Sequence, residues 1–200
     1  WRNSDDGFVR DVHVSKLIID PNNNNVFYAT TQGATEYTDK VGDGAGVFKS
    51  NDRGNSWTQI NNGLDSLETN ILTVDPNDSE TLYLGTDDDG VYKSTDGGES
   101  WKKLTVSSIP KSFGVGDIIV DPQNSNNIYI GTVDYFRLSE SRGVLGDFGV
   151  YKSTDGGATW EEFNAGLNHL GVFSLELSEE NRILYAGTRA GGVYWISLDN

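Results

Sequence analysis

The amino-acid sequence predicts an all-β fold, a β-propeller of four four-stranded antiparallel blades. Three observations predict it: a repeat of propeller-blade length, a turn motif recurring three times in register, and a composition heavy in glycine and aromatic residues. The 200 residues hold 24 glycines against four prolines, with nine Tyr, eight Phe and five Trp. That balance suits short strands joined by tight turns around an aromatic-rich core.

The repeat is visible in four phrases: Tyr28-Ala29-Thr30-Thr31, Tyr83-Leu84-Gly85-Thr86, Tyr129-Ile130-Gly131-Thr132 and Tyr185-Ala186-Gly187-Thr188, whose tyrosines are 55, 46 and 56 residues apart. Each follows an apolar strand that ends in Asp20-Pro21, Asp75-Pro76, Asp121-Pro122 or, in the last copy, Ser178-Glu179. Each precedes a Gly-Val-aromatic strand, at Gly46-Val47-Phe48, Gly90-Val91-Tyr92, Gly149-Val150-Tyr151 and Gly192-Val193-Tyr194. The repeats run over about 8–63, 64–107, 108–166 and 167–200 plus 1–7, as one domain.

Three copies continue into Ser-x-Asp-x-Gly-x-x-Trp. The fixed positions are Ser50, Asp52, Gly54 and Trp57; Ser94, Asp96, Gly98 and Trp101; Ser153, Asp155, Gly157 and Trp160. Short polar side chains fold back onto turn amides, glycine accepts a positive φ, and tryptophan opens the next strand with a large apolar face. These twelve residues are therefore expected to be structural. The phrase resembles the Asp-box, or BNR, repeat of sialidases, sortilin-type receptors, xyloglucanases and Ycf48-type photosystem II assembly factors. With the Asp-Pro and Tyr-x-Gly-Thr phrases around it, the resemblance is to the xyloglucanase, sortilin and Ycf48 branch, over nearly the whole chain. The resemblance implies a propeller with the boxes on its rim, away from the central pocket.

The ends fit the repeat. Trp1-Arg2-Asn3-Ser4-Asp5-Asp6-Gly7 aligns with Trp57-Thr58-Gln59-Ile60-Asn61-Asn62-Gly63, the fourth strand of a blade. The N-terminal strand is expected to pair with residues 192–198, closing a small ring, or else the chain is an arc of a larger propeller. With no methionine, even at position 1, the chain reads as a processed or excised piece.

Composition excludes several functions. Without cysteine there is no disulfide, zinc ribbon or thiol nucleophile. A net charge of −15, with no cluster of Lys and Arg, argues against a nucleic-acid partner. No stretch has the apolar length of a membrane span. His13 and His169 are isolated, and the seven arginines form no carboxylate-gripping cluster of the sialidase kind.

Candidate sites remain on loops. The long ones, 31–46 and 133–149, follow the second strands of repeats 1 and 3, where repeat scaffolds carry function. In the second, Asp134, Tyr135, Phe136, Arg137 and Glu140 mix aromatic and charged groups suited to sugar or peptide. The acidic turn Asp87-Asp88-Asp89 offers oxygen ligands for a structural calcium, although turns favour Asp on their own account and the EF-hand spacing is absent. No other cofactor is indicated. Asp87 also matches the resemblance: xyloglucanase-like enzymes place a catalytic aspartate after such a Thr. Asp89 stands where their phrase has glycine, however, and glycoside hydrolysis needs a second carboxyl group, which this sequence does not show.

Two functions follow from this reading. One is an extracellular, cell-surface or periplasmic non-enzymatic module that binds a protein or glycan, associates with itself, or joins further blades. The other is a fragment of a xyloglucanase-like glycoside hydrolase.

Overall fold

The structure, a computed structural model, describes residues 4–8, 12–33, 44–109, 113–134 and 146–199. Among them there is no α-helix, and fifteen strands form four antiparallel sheets. Blade 1 holds β1 (Val12–Asp20), β2 (Asn23–Gly33), β3 (Val47–Ser50) and β4 (Thr58–Gln59). Blade 2 holds β5 (Thr69–Asp75), β6 (Asp78–Thr86), β7 (Val91–Ser94) and β8 (Lys102–Lys103). Blade 3 holds β9 (Gly114–Val120), β10 (Ile128–Val133), β11 (Val150–Ser153) and β12 (Glu161–Glu162). Blade 4 holds β13 (Val172–Ser178), β14 (Ile183–Thr188) and β15 (Gly192–Ser197). In each sheet the strands lie in sequence order, the meander of a propeller blade.

Among the described residues blade 4 holds three strands, where four were expected. In blades 1, 2 and 3 the outer strand directly follows a box tryptophan. Of the proposed partner strand, residues 1–3 lie outside the described residues. Ser4 to Phe8 takes no strand pairing and is held on blade 1, where Trp57 N–H donates to Asp6 O at 2.8 Å and the Phe8 ring stacks on Phe48 at 4.3 Å.

The chain divides into two compact units, Trp1–Thr86 with Tyr92–Lys103, and Asp87–Val91 with Leu104–Asn200. In the first, Tyr28, Val47, Leu72, Leu82, Leu84 and Trp101 form a buried cluster between the sheets of blades 1 and 2. In the second, Tyr129, Val150, Val172, Leu175 and Leu184 do the same for blades 3 and 4. The glycine of Tyr129-Ile130-Gly131-Thr132 is explained by this packing: a Cβ on Gly131 would lie 2.6 Å from Val172 Cγ1 on the neighbouring blade. The repeated threonine has a separate task. Thr132 Oγ1 donates to Gly149 O at 3.0 Å and accepts from Phe148 N–H at 2.9 Å, so it fastens the far end of the loop to the strand where the loop begins. Thr31 and Thr188 repeat the arrangement in blades 1 and 4.

Candidate functional site

Each box is a closed hydrogen-bond unit. In blade 2, Ser94 Oγ donates to Asp96 Oδ1 at 2.7 Å and accepts from Gly98 N–H at 2.9 Å. Asp96 in turn accepts from Ser100 N–H at 2.9 Å. Gly98 has φ +91°, which a side chain would strain. Blades 1 and 3 repeat this through Ser50, Asp52 and Gly54, and through Ser153, Asp155 and Gly157. The Ser100 hydroxyl, the Ser94 hydroxyl and the Ser100 amide hold the Asp96 carboxyl at about 2, below its usual 3.8, and Asp52 and Asp155 sit equally low. These carboxylates are spent on their own turns. Trp57, Trp101 and Trp160 are 8%, 5% and 8% exposed, the anchoring role of a large amphipathic ring.

Two asparagines add an element that the motif reading missed. Asn164 Oδ1 accepts from Val150 N–H at 2.7 Å, and its Nδ2 donates to Phe148 O at 3.0 Å. Asn61 does the same for Val47 and Ala45. Both stand four residues after a box tryptophan, and that shared offset was a signal present in the sequence. Arg182 was missed as well. It makes a two-pronged bond to Asp121, at 3.0 and 2.6 Å, and partners 61 residues apart leave no local signal.

The loop bases carry the remaining polar chemistry. In blade 1, Glu68 accepts from Gly33 N–H at 2.9 Å and from Gly44 N–H at 3.0 Å, bridging the two ends of the first long loop. In blade 3, Asp147 accepts from Asp134 N–H at 2.8 Å across the base of the second. Arg189, from the turn after β14, joins that base: its guanidinium donates to Asp134 O and lies 3.9 Å from Asp147. The Arg189 backbone N–H donates to Gly171 O at 2.8 Å, and its guanidinium stands 5.2 Å over the ring of Phe173, which is 41% exposed. The Arg189 guanidinium over the partly exposed Phe173 ring is a cation–π pair beside the base of the second long loop.

The sequence-predicted residues separate accordingly. Asp134 belongs to this base and is 6% exposed. Tyr135, Phe136, Arg137 and Glu140 lie outside the described residues. Asp87 is also 6% exposed, and among the described residues no group of three His, Cys, Asp or Glu side chains is placed to hold a metal ion, Asp87, Asp88 and Asp89 included. No helix among them is long and apolar enough to cross a membrane.

Four antiparallel meanders with three fully bonded boxes define an Asp-box β-propeller protein. The model of the sortilin–Vps10 family (sortilin, neurotensin receptor 3) matches residues 45–193, and the chain belongs to that family. Xyloglucanase Xgh74A of Acetivibrio thermocellus is 36% identical over 96 residues, 44% of this chain and 11% of that enzyme. The GH74 enzyme of Niastella koreensis superposes with a TM-score of 0.66 and 26% identity, over 92% of this chain and 28% of the enzyme. YCF48 bound to a D1 peptide superposes with a TM-score of 0.64 over 93% of this chain and 51% of its own, at 14% identity, a likeness of fold. The chain thus spans a small fraction of Xgh74A and of the GH74 enzyme.

Proposed function

We propose that the chain is a non-enzymatic binding or scaffolding module working outside the cytoplasm, and that it recognises glycan or protein at the second long loop. The observation that supports this reading is the loop base of blade 3. Asp147 and Arg189 fix where the loop leaves the sheet, and the Arg189–Phe173 pair lies beside it. Rigid elements that carry a loop holding Tyr135, Phe136 and Arg137 suit recognition, because the ordering cost of binding is reduced in advance. Asp52, Asp96, Asp121 and Asp155 lie below the usual carboxylate range, each held there by its own turn or by Arg182. The test is a screen of the chain on glycan and peptide arrays, followed by titration of the captured probe. Phe173→Ala and replacement of residues 135–145 by a Gly/Ser segment of equal length should each weaken binding at least tenfold. Undiminished binding in both variants would refute the assignment.

A second reading has its own support. The match to xyloglucanase Xgh74A and the buried Asp87 favour a hydrolase fragment. Xyloglucan hydrolysis by the chain, lost in Asp87→Asn, would establish it.

A further inference from the structure

In blade 2 the chain reverses between its first two strands at Asp75-Pro76-Asn77-Asp78, with Asp75 paired to Asp78 where β5 passes into β6. Proline and asparagine are residues that such a turn favours. Its carboxylates are committed to the local fold. Asp75 Oδ1 accepts from Asn77 N–H at 2.9 Å, and Asp78 accepts from Glu80 N–H at 3.1 Å and from Thr81 Oγ1 at 2.8 Å. Asn77 itself is exposed.

That outward placement belongs to the repeat and not to one residue. Asn22 and Gln123 follow Asp20-Pro21 and Asp121-Pro122 in the same way, and both are exposed. Each also donates its backbone N–H to the aspartate of its turn, at 2.8 and 3.0 Å. In a meander, consecutive turns lie at opposite ends of the sheet, so this turn stands at the end of blade 2 away from the turn between β6 and β7.

Blade 2 differs from its neighbours in what the turn spells. Asn77-Asp78-Ser79 is the one place in the sequence where Ser or Thr stands two residues after Asn. Blade 1 has Asn22-Asn23-Asn24 there, and blade 3 has Gln123-Asn124-Ser125. Asn-x-Ser, with x other than proline, is the acceptor phrase of N-linked glycosylation, a modification of surface loops in exported proteins. Ser79 has a second use in the folded chain: its Oγ donates to Asp20 Oδ1 at 2.8 Å, across to blade 1.

We propose that Asn77 is an acceptor for an N-linked glycan, an inference that rests on the reading of the chain as one that works outside the cytoplasm. The donor class is an oligosaccharide linked to a lipid diphosphate. The Asn77 side-chain nitrogen forms a bond to sugar C1, the bond from C1 to the diphosphate oxygen breaks, and an amide proton is released as the lipid diphosphate leaves. Folding engages the Ser79 hydroxyl with Asp20, so transfer precedes the docking of blade 2 on blade 1. The attached sugar is bulky and solubilising, and it keeps this end of blade 2 in solvent.

Translation of the whole chain behind a cleavable signal peptide, in the presence of microsomes, tests this. Chains protected from added protease have entered the lumen and are the ones scored. The expected product carries one glycan, which peptide-N-glycosidase removes with aspartate left at position 77. Asn77→Gln should abolish the glycan, and Ser79→Thr, which keeps the hydroxyl, should retain it. Gln123→Asn writes the same phrase on the equivalent turn of blade 3 and should add a second glycan. A protected parent chain without glycan overturns the inference, as does a glycan that Asn77→Gln retains. Neither result bears on array binding by the unmodified chain, so the loop reading stands or falls on its own measurement.

Discussion

The Asp121–Arg182 pair offers the sharpest quantitative prediction. Asp121 follows β9, its side chain is wholly buried, and the Arg182 side chain is 16% exposed. Burial works against the charged carboxyl, but the Arg182 guanidinium, the Gln123 amide and Asn127 outweigh it and hold Asp121 below the usual carboxylate range. Arg182→Ala removes two charge-assisted bonds and leaves the carboxylate with Gln123 N–H at 3.0 Å and Asn127 Nδ2 at 3.4 Å. Two such bonds at about 1.5 kcal/mol each come to about 3 kcal/mol. Breaking a buried pair on one side costs about 3–5 kcal/mol, and water access past the partly exposed arginine puts this one at the lower end. Arg182→Lys keeps the charge but loses the fork, so it should recover roughly half. The assay is urea unfolding followed by tryptophan fluorescence, read as a midpoint shift at constant slope. A change under about 0.5 kcal/mol for Arg182→Ala would refute the reasoning, as would simple additivity with Asp121→Asn, since groups in contact couple.

The other predictions concern the boxes and the close approach of neighbouring blades. Ser94→Ala strands the buried Gly98 amide and should cost about 1–3 kcal/mol in the same unfolding assay. Gly131→Ala drives a methyl into Val172 and should cost about 1–3 kcal/mol by overpacking, with Val172→Ala as the rescuing second change. The box carboxylates have folded pKa values of about 2 against a usual 3.8, so their ionised form favours the fold. Their contribution is complete above about pH 4 and is lost as pH falls from there towards about 2. Melting temperature measured against pH should drop across that window, and the drop should be shallower in Asp96→Asn.

Much of the fold was legible because the repeat states it several times. A box needs Ser, Asp, Gly and Trp at fixed offsets, since each closes a bond within one turn, and local constraints of that kind survive in sequence. The same logic made Asn61 and Asn164 readable, but only by also aligning the residues C-terminal to each tryptophan. Gly131 was visible as a repeated glycine, while its cause, Val172 on the next blade, was not. Arg182 and Asp121 meet across 61 positions in a place where the other repeats have no matching arginine, so no periodicity announces them. At the loop base, Asp134 stood out through its neighbours in sequence. Asp147, Phe173 and Arg189 come to it from three different segments, and only the sheet topology brings them together.

The measurement that bears most directly on the binding reading sets retention against turnover on one polymer. The chain is run through gels cast with and without xyloglucan, and new reducing ends are assayed in parallel. Binding without chemistry predicts retarded migration that Phe173→Ala relieves, with reducing ends no higher than in a protein-free control. Reducing ends that accumulate with the parent chain and vanish in Asp87→Asn would contradict the account and make the chain a piece of a hydrolase.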